Sequence, residues 1–165
     1  MLRSWTRRNI CLHLVAVRCR TNTSTSKETM MINEEYAKKL SRLCTKNFAE
    51  GEKFFRVLLD NNVQMTSRCY LVMLNSIVNR VYRNKPVFMQ KLLYYFNLMN
   101  ERVKPNVKAY TCVIRGHFAN KDIASAEKLF EVARNQFDKD AHLYSTMIHG
   151  YSKKGLVTYI SNPWM

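Results

Sequence analysis

Two stretches of this chain, 34 residues apart, repeat one another without a gap. Tyr110-Thr111-Cys112-Val113-Ile114-Arg115-Gly116 runs in step with Tyr144-Ser145-Thr146-Met147-Ile148-His149-Gly150, and further on Lys121 falls opposite Gly155. A fixed period of this length constrains the fold more tightly than any bulk property. It marks a small unit that cannot bury its apolar face alone and stacks on copies of itself. The frame continues upstream: Tyr70 precedes Tyr110 by 40 residues and Tyr36 precedes Tyr70 by 34. The second half of each unit agrees independently. Glu52-Lys53-Phe54-Phe55, Leu93-Tyr94-Tyr95-Phe96 and Glu127-Lys128-Leu129-Phe130 each end on an aromatic, followed 8, 7 and 7 residues later by Val63, Val103 and Phe137. The 40-residue unit carries its surplus near residues 81–86, where Pro86 marks a turn.

Both halves of the unit have helical periodicity. Tyr110, Val113, Ile114 and Phe118 recur at that spacing, as do Ile123, Ala126, Leu129, Phe130 and Ala133. Asn120-Lys121-Asp122 gives a short polar turn with a helix start signal, and the small residues Gly116 and Ala126 allow paired helices to approach closely. Only 4 glycines and 3 prolines in 165 residues argue against a turn-rich β protein. The expected fold is therefore all-α, a solenoid of about three to four helical hairpins. Phe54, Phe55, Tyr94, Tyr95, Phe96 and Phe130 are expected in its core rather than on a base-stacking surface.

The unit's Tyr-Thr/Ser-x-x-Ile-x-Gly, Ala126-Glu127-Lys128-Leu129-Phe130 and Val103-Lys104-Pro105-Asn106 resemble the pentatricopeptide repeat. The tetratricopeptide repeat expects Trp, Leu-Gly and Tyr in its first helix, which this chain does not supply. The match is specific over 107–155, good over 86–106, looser over 48–85 and weak over 28–47. The resemblance implies a right-handed superhelix that binds single-stranded RNA, about one base per repeat. It divides the chain into a transit or disordered segment (1–27), a degenerate repeat (28–66), a repeat with a turn insertion (67–106), a repeat (107–140) and a partial repeat with an atypical tail (141–165).

The resemblance also implies the RNA-binding positions. The base reader follows the Tyr of the first helix, and its partner is the last residue of the unit. Those positions hold Thr111 and Asp140, a pair that favours guanine in related proteins. In the preceding unit they hold Leu71, which cannot hydrogen-bond, and Asn106; Ser145 begins the next. Two residues before the Tyr, where the family carries an aliphatic wedge, this sequence has Lys108 and His142, both suited to phosphate. Thr66, Asn106 and Asp140 also stand where helix N-caps belong, and capping alone would account for them.

The charge fits such a ligand. There are 27 Lys and Arg against 12 Asp and Glu, a net charge of +15, which attracts polyanions. Part of it lies in residues 1–27, where Arg3, Arg7, Arg8, Arg18, Arg20 and Lys27 precede the first acidic residue, Glu28, and a Ser/Thr run closes the segment. That is the profile of a transit peptide, for the mitochondrial matrix rather than a plastid. Without it, 21 basic and 12 acidic residues still leave +9.

No catalytic constellation, phosphate loop or metal-ligand spacing is found, so neither enzymatic activity nor a cofactor is expected. Five scattered cysteines argue for reduced thiols rather than disulfides or zinc. Beyond Lys153 the expected second helix does not follow, which suggests a truncated product with a sticky surface at Tyr144, Met147, Ile148 and Tyr151. The leading functional expectation is organellar RNA processing, stability or translation, with ribosomal or RNA-processing proteins as further partners. A tetratricopeptide-like protein scaffold and an inactive isoform are the alternatives.

Overall fold

A computed structural model describes residues 26–82, 87–137 and 140–153, and the leader expected at 1–27 lies almost wholly outside them. Seven helices and no strand occur among the described residues: α1 (Ser26–Lys46), α2 (Phe48–Asp60), α3 (Ser67–Val81), α4 (Val87–Arg102), α5 (Val107–Ala119), α6 (Ile123–Gln136) and α7 (Ala141–Lys153). Their starts are set by local chemistry. The side chains of Asn47, Asn106 and Asp122 accept hydrogen bonds from the amides of Ala49, Ala109 and Ser125 at 3.0, 3.1 and 3.1 Å, satisfying donors that a helix start leaves open. Asp140 does the same for His142 and Leu143, at 2.9 and 3.1 Å. Thr66 occupies the cap position before α3 without a side-chain cap bond.

Each first helix (α1, α3, α5, α7) packs on the next first helix, and α1, α3 and α5 also pack on the second helices α2, α4 and α6 that follow them. The result is two rows in an all-α solenoid, with the core between them. The register is written in one repeated contact. Phe55 meets Tyr70, Phe96 meets Tyr110 and Phe130 meets Tyr144, each edge to face with ring centroids 5.3 Å apart. The aromatic of each second helix thus seats on the tyrosine of the following first helix. Such pairs contribute about 0.5–1.5 kcal/mol beyond their buried area. Tyr36 is buried too, against Phe54 at 6.3 Å.

Close approach follows the glycines. A Cβ at Gly116 would run into Leu92 of α4, and one at Gly150 into the ring of Phe118. Helix α5 is buried on nearly every side. It lends Ala109, Cys112 and Val113 to one apolar cluster and Tyr110, Ile114 and Phe118 to a second.

The units are also tied by a carboxylate at one repeat position. Glu52 on α2 accepts from Lys91 Nζ at 2.8 and 2.9 Å and from the Tyr95 hydroxyl at 3.1 Å, both on α4. Glu127, its counterpart on α6, accepts from the Tyr151 hydroxyl of α7 at 2.6 Å. The middle unit has Leu93 there, which is exposed.

Two expectations change. Of the six aromatics placed in the core, Tyr94 is 59% exposed and Phe96 only half-buried. Neighbouring positions on a helix point about 100° apart, so once Leu92, Tyr95 and Met99 face inward, Tyr94 faces out. Likewise Met147 and Tyr151 are buried rather than surface residues, leaving Ile148 exposed.

Candidate nucleic-acid interface

The row of first helices carries a polar stripe generated by helical spacing from the residue after each repeat tyrosine. On α3 and just beyond it the stripe is Leu71, Asn75, Asn79 and Tyr82; on α5, Thr111 and Arg115; on α7, Ser145, His149 and Lys153. Every third or fourth residue of a helix shares one face, so these side chains follow one line on each of the three first helices, with Thr111 buried among them.

Two clefts open along this row. One, of about 600 Å³, is lined by Asn79, Tyr82, Arg115, His142, Ser145, Thr146, His149 and Lys153. The other, of about 590 Å³, is lined by Arg68, Leu71, Asn106, Val107, Lys108 and Phe137. Among the described residues neither lining contains a carboxylate. Arg68 is paired with Glu34 at 3.1 Å, yet its side chain stays 64% exposed.

Four of the six RNA-binding positions expected from sequence fall in these clefts. Asn106 and Lys108 share one; His142 and Ser145 share the other. Thr111 and Asp140 line neither. Thr111 is 3% exposed, and its hydroxyl donates to the Lys108 carbonyl at 3.0 Å. Ser145 makes the same bond to the His142 carbonyl, at 3.1 Å, but is exposed. The difference is packing: α5 has first helices on both flanks. Asn106 and Asp140 serve as helix caps through their Oδ1 atoms.

The sequence reading did not single out Tyr82, Arg115, His149 or Lys153. Counting four and eight residues on from Thr111 and Ser145 finds Arg115, His149 and Lys153. Tyr82 needs the fold, because it lies just after α3 and joins the others only through stacking of successive units. Arg115 Cζ and Lys153 Nζ stand 5.8 and 5.2 Å from its ring centroid.

Reactive groups elsewhere are subdued. Cys44, Cys69 and Cys112 are buried free thiols; burial pushes Cys69 and Cys112 up to about 11. No group of three or more His, Cys, Asp or Glu able to hold a metal ion occurs among the described residues, nor is any described helix long and apolar enough to cross a membrane.

Residues 108–134 and 142–158 match the family model of the PPR repeat, the pentatricopeptide repeat, so the chain carries pentatricopeptide repeats in those two stretches. No curated protein matches the chain.

Proposed function

We propose that this pentatricopeptide-repeat chain binds single-stranded RNA along its row of first helices and acts in organellar RNA processing, stability or translation. One observation supports the reading above others: two neighbouring clefts on that row combine short polar side chains with Arg68, Lys108, Arg115 and Lys153, and no carboxylate lines either among the described residues. Cations of this kind neutralise phosphates and supply affinity that does not depend on sequence. Asn106 and Ser145 supply groups that can meet a base edge, and the Thr111–Asp140 pair would prefer guanine once Thr111 is uncovered. In this reading the protein is a binding module, not a catalyst.

Fluorescence anisotropy with a short single-stranded RNA tests it. Log affinity should fall with log salt at a slope of about 0.7 per phosphate neutralised, and duplex RNA should compete weakly. A shallow slope, or equal competition by duplex, refutes the reading. Targeting belongs to the same proposal: residues 1–27 fused to a fluorescent reporter should carry it into mitochondria, and a diffuse reporter counts against this.

A protein-interaction scaffold is favoured by one specific feature, the apolar side chains Leu71, Val107 and Phe137 in the cleft that holds Arg68 and Lys108. A ribosomal or RNA-processing protein held there would bind with little salt dependence, and Leu71→Asp would abolish the association.

A further inference from the structure

Tyr82 is the large aromatic side chain of the cleft that also holds Arg115 and Lys153, and the repeat gives it no structural duty comparable to that of its fellow tyrosines. Tyr70, Tyr95 and Tyr110 are buried and seat on neighbouring aromatic rings. Tyr82 is 36% exposed and follows α3 directly. What stands over its ring instead is positive charge from the next two first helices: Arg115 Cζ of α5 at 5.8 Å and Lys153 Nζ of α7 at 5.2 Å. Three successive units therefore converge on one exposed aromatic ring, in a cleft with no acidic lining residue among the described residues.

We propose that Tyr82, bracketed by Arg115 and Lys153, is a stacking platform for one base of a single-stranded RNA, a contact that reads no sequence; it rests on the RNA-binding reading above. The chemistry is that of a partly exposed π-face, which a base would share with the two flexible cations. Any base can lie flat on a tyrosine ring, because every base has such a face. A guanidinium can stack on the same base or hold its phosphate, and an ammonium on a long flexible stem can follow the adjoining phosphate. The volume, about 600 Å³, falls within the roughly 300–1,000 Å³ of ordinary small-ligand sites, enough to take a nucleotide. His142 and Ser145, reached from sequence as RNA-binding positions, line the same cleft. The platform thus lies beside the base-reading position of the last unit and would anchor the strand there.

The test uses the full chain and an oligouridylate carrying a single 2-aminopurine, whose fluorescence is quenched on stacking. The intact protein should bind the probe with steep salt dependence and quench it. Tyr82→Ala should weaken binding about tenfold and remove the quenching, whereas Tyr82→Phe should keep both. Tyr82→Leu retains apolar bulk without a π-face and should behave as the alanine variant does, which separates stacking from packing. Tyr94→Ala, on the exposed face of α4, should change neither. If Tyr82→Leu binds and quenches like the intact protein, the platform is refuted while the RNA reading stands. If the intact chain does not bind the probe at low salt, the RNA reading itself fails, and the platform with it.

Discussion

Replacing Glu52 by glutamine probes how strongly successive units are clamped. The carboxylate is 12% exposed and accepts from Lys91, Tyr95 and Arg56. Glutamine keeps the volume and one oxygen for the Tyr95 hydroxyl but loses the charge. The Arg56 pair lies along the surface of α2, with Arg56 64% exposed, so it contributes little. The Lys91 pair bridges α2 and α4, and a hydrogen bond to a charged group is worth about 1.5–3 kcal/mol net. Lys91, 37% exposed, regains water when the charge goes, which places the loss near the lower end, about 1.5 kcal/mol. Thermal unfolding followed by circular dichroism should therefore show Tm lowered by roughly 4–9 °C. Lys91→Met introduced into the Glu52→Gln protein should cost about 1 kcal/mol less than Lys91→Met introduced into the original chain, which is the coupling of the pair. The effect depends on pH. Burial raises the Glu52 pKa, but hydrogen bonding and charge from Lys91, the Tyr95 hydroxyl and Arg56 outweigh it and hold the group below the ordinary glutamate value. Its contribution is thus complete above about pH 4.3, the unfolded value, and is lost as pH falls through the lower folded value. Additive effects of the Glu52 and Lys91 substitutions, or a Glu52→Gln protein as stable as the original at neutral pH, would refute the clamp.

Gly150→Ala should destabilise by about 1–3 kcal/mol, offset in part by the better helix propensity of Ala, because the new methyl meets the Phe118 ring; urea unfolding checks the sign, and a gain in stability would show that α5 and α7 can part freely. Lys121 sits at φ 65° in the turn after α5, so Lys121→Gly should stabilise by about 1 kcal/mol, and no gain in Tm would mean the turn imposes no strain. Alkylation of Cys69 and Cys112 at pH 8, read by mass spectrometry, should be far slower in the folded chain than after denaturation, since burial pushes both thiols up to about 11; equal rates would contradict their burial.

The register is readable because stacking demands the same residue type at the same place in every unit. Tyr70, Tyr110 and Tyr144, with Phe55, Phe96 and Phe130, can be aligned by counting, and their equivalent contacts follow. The turn after α5 is readable as well: the alignment sets Lys121 opposite a glycine, and its backbone is left-handed. What counting cannot supply is orientation. Either of the adjacent aromatics Tyr94 and Tyr95 satisfies the pattern, and only the inward face of α4 selects Tyr95. Nor can spacing tell Thr111 from Ser145, whose local hydrogen bonds are alike and whose burial is decided by neighbouring helices. Tyr82, Arg115 and Lys153 come from three units, and no single-unit motif could reveal their meeting.

Helix α5 divides its residues between two apolar clusters. Neither cluster can then melt without loosening a wall of the other, so fraying has to begin at the outer helices and move inward. Amide exchange should follow that order, with the slowest protons in α5 and progressively faster ones toward α1 and α7. A strand of RNA lying across α3, α5 and α7 would slow the outermost amides most, because they have the most freedom left to lose.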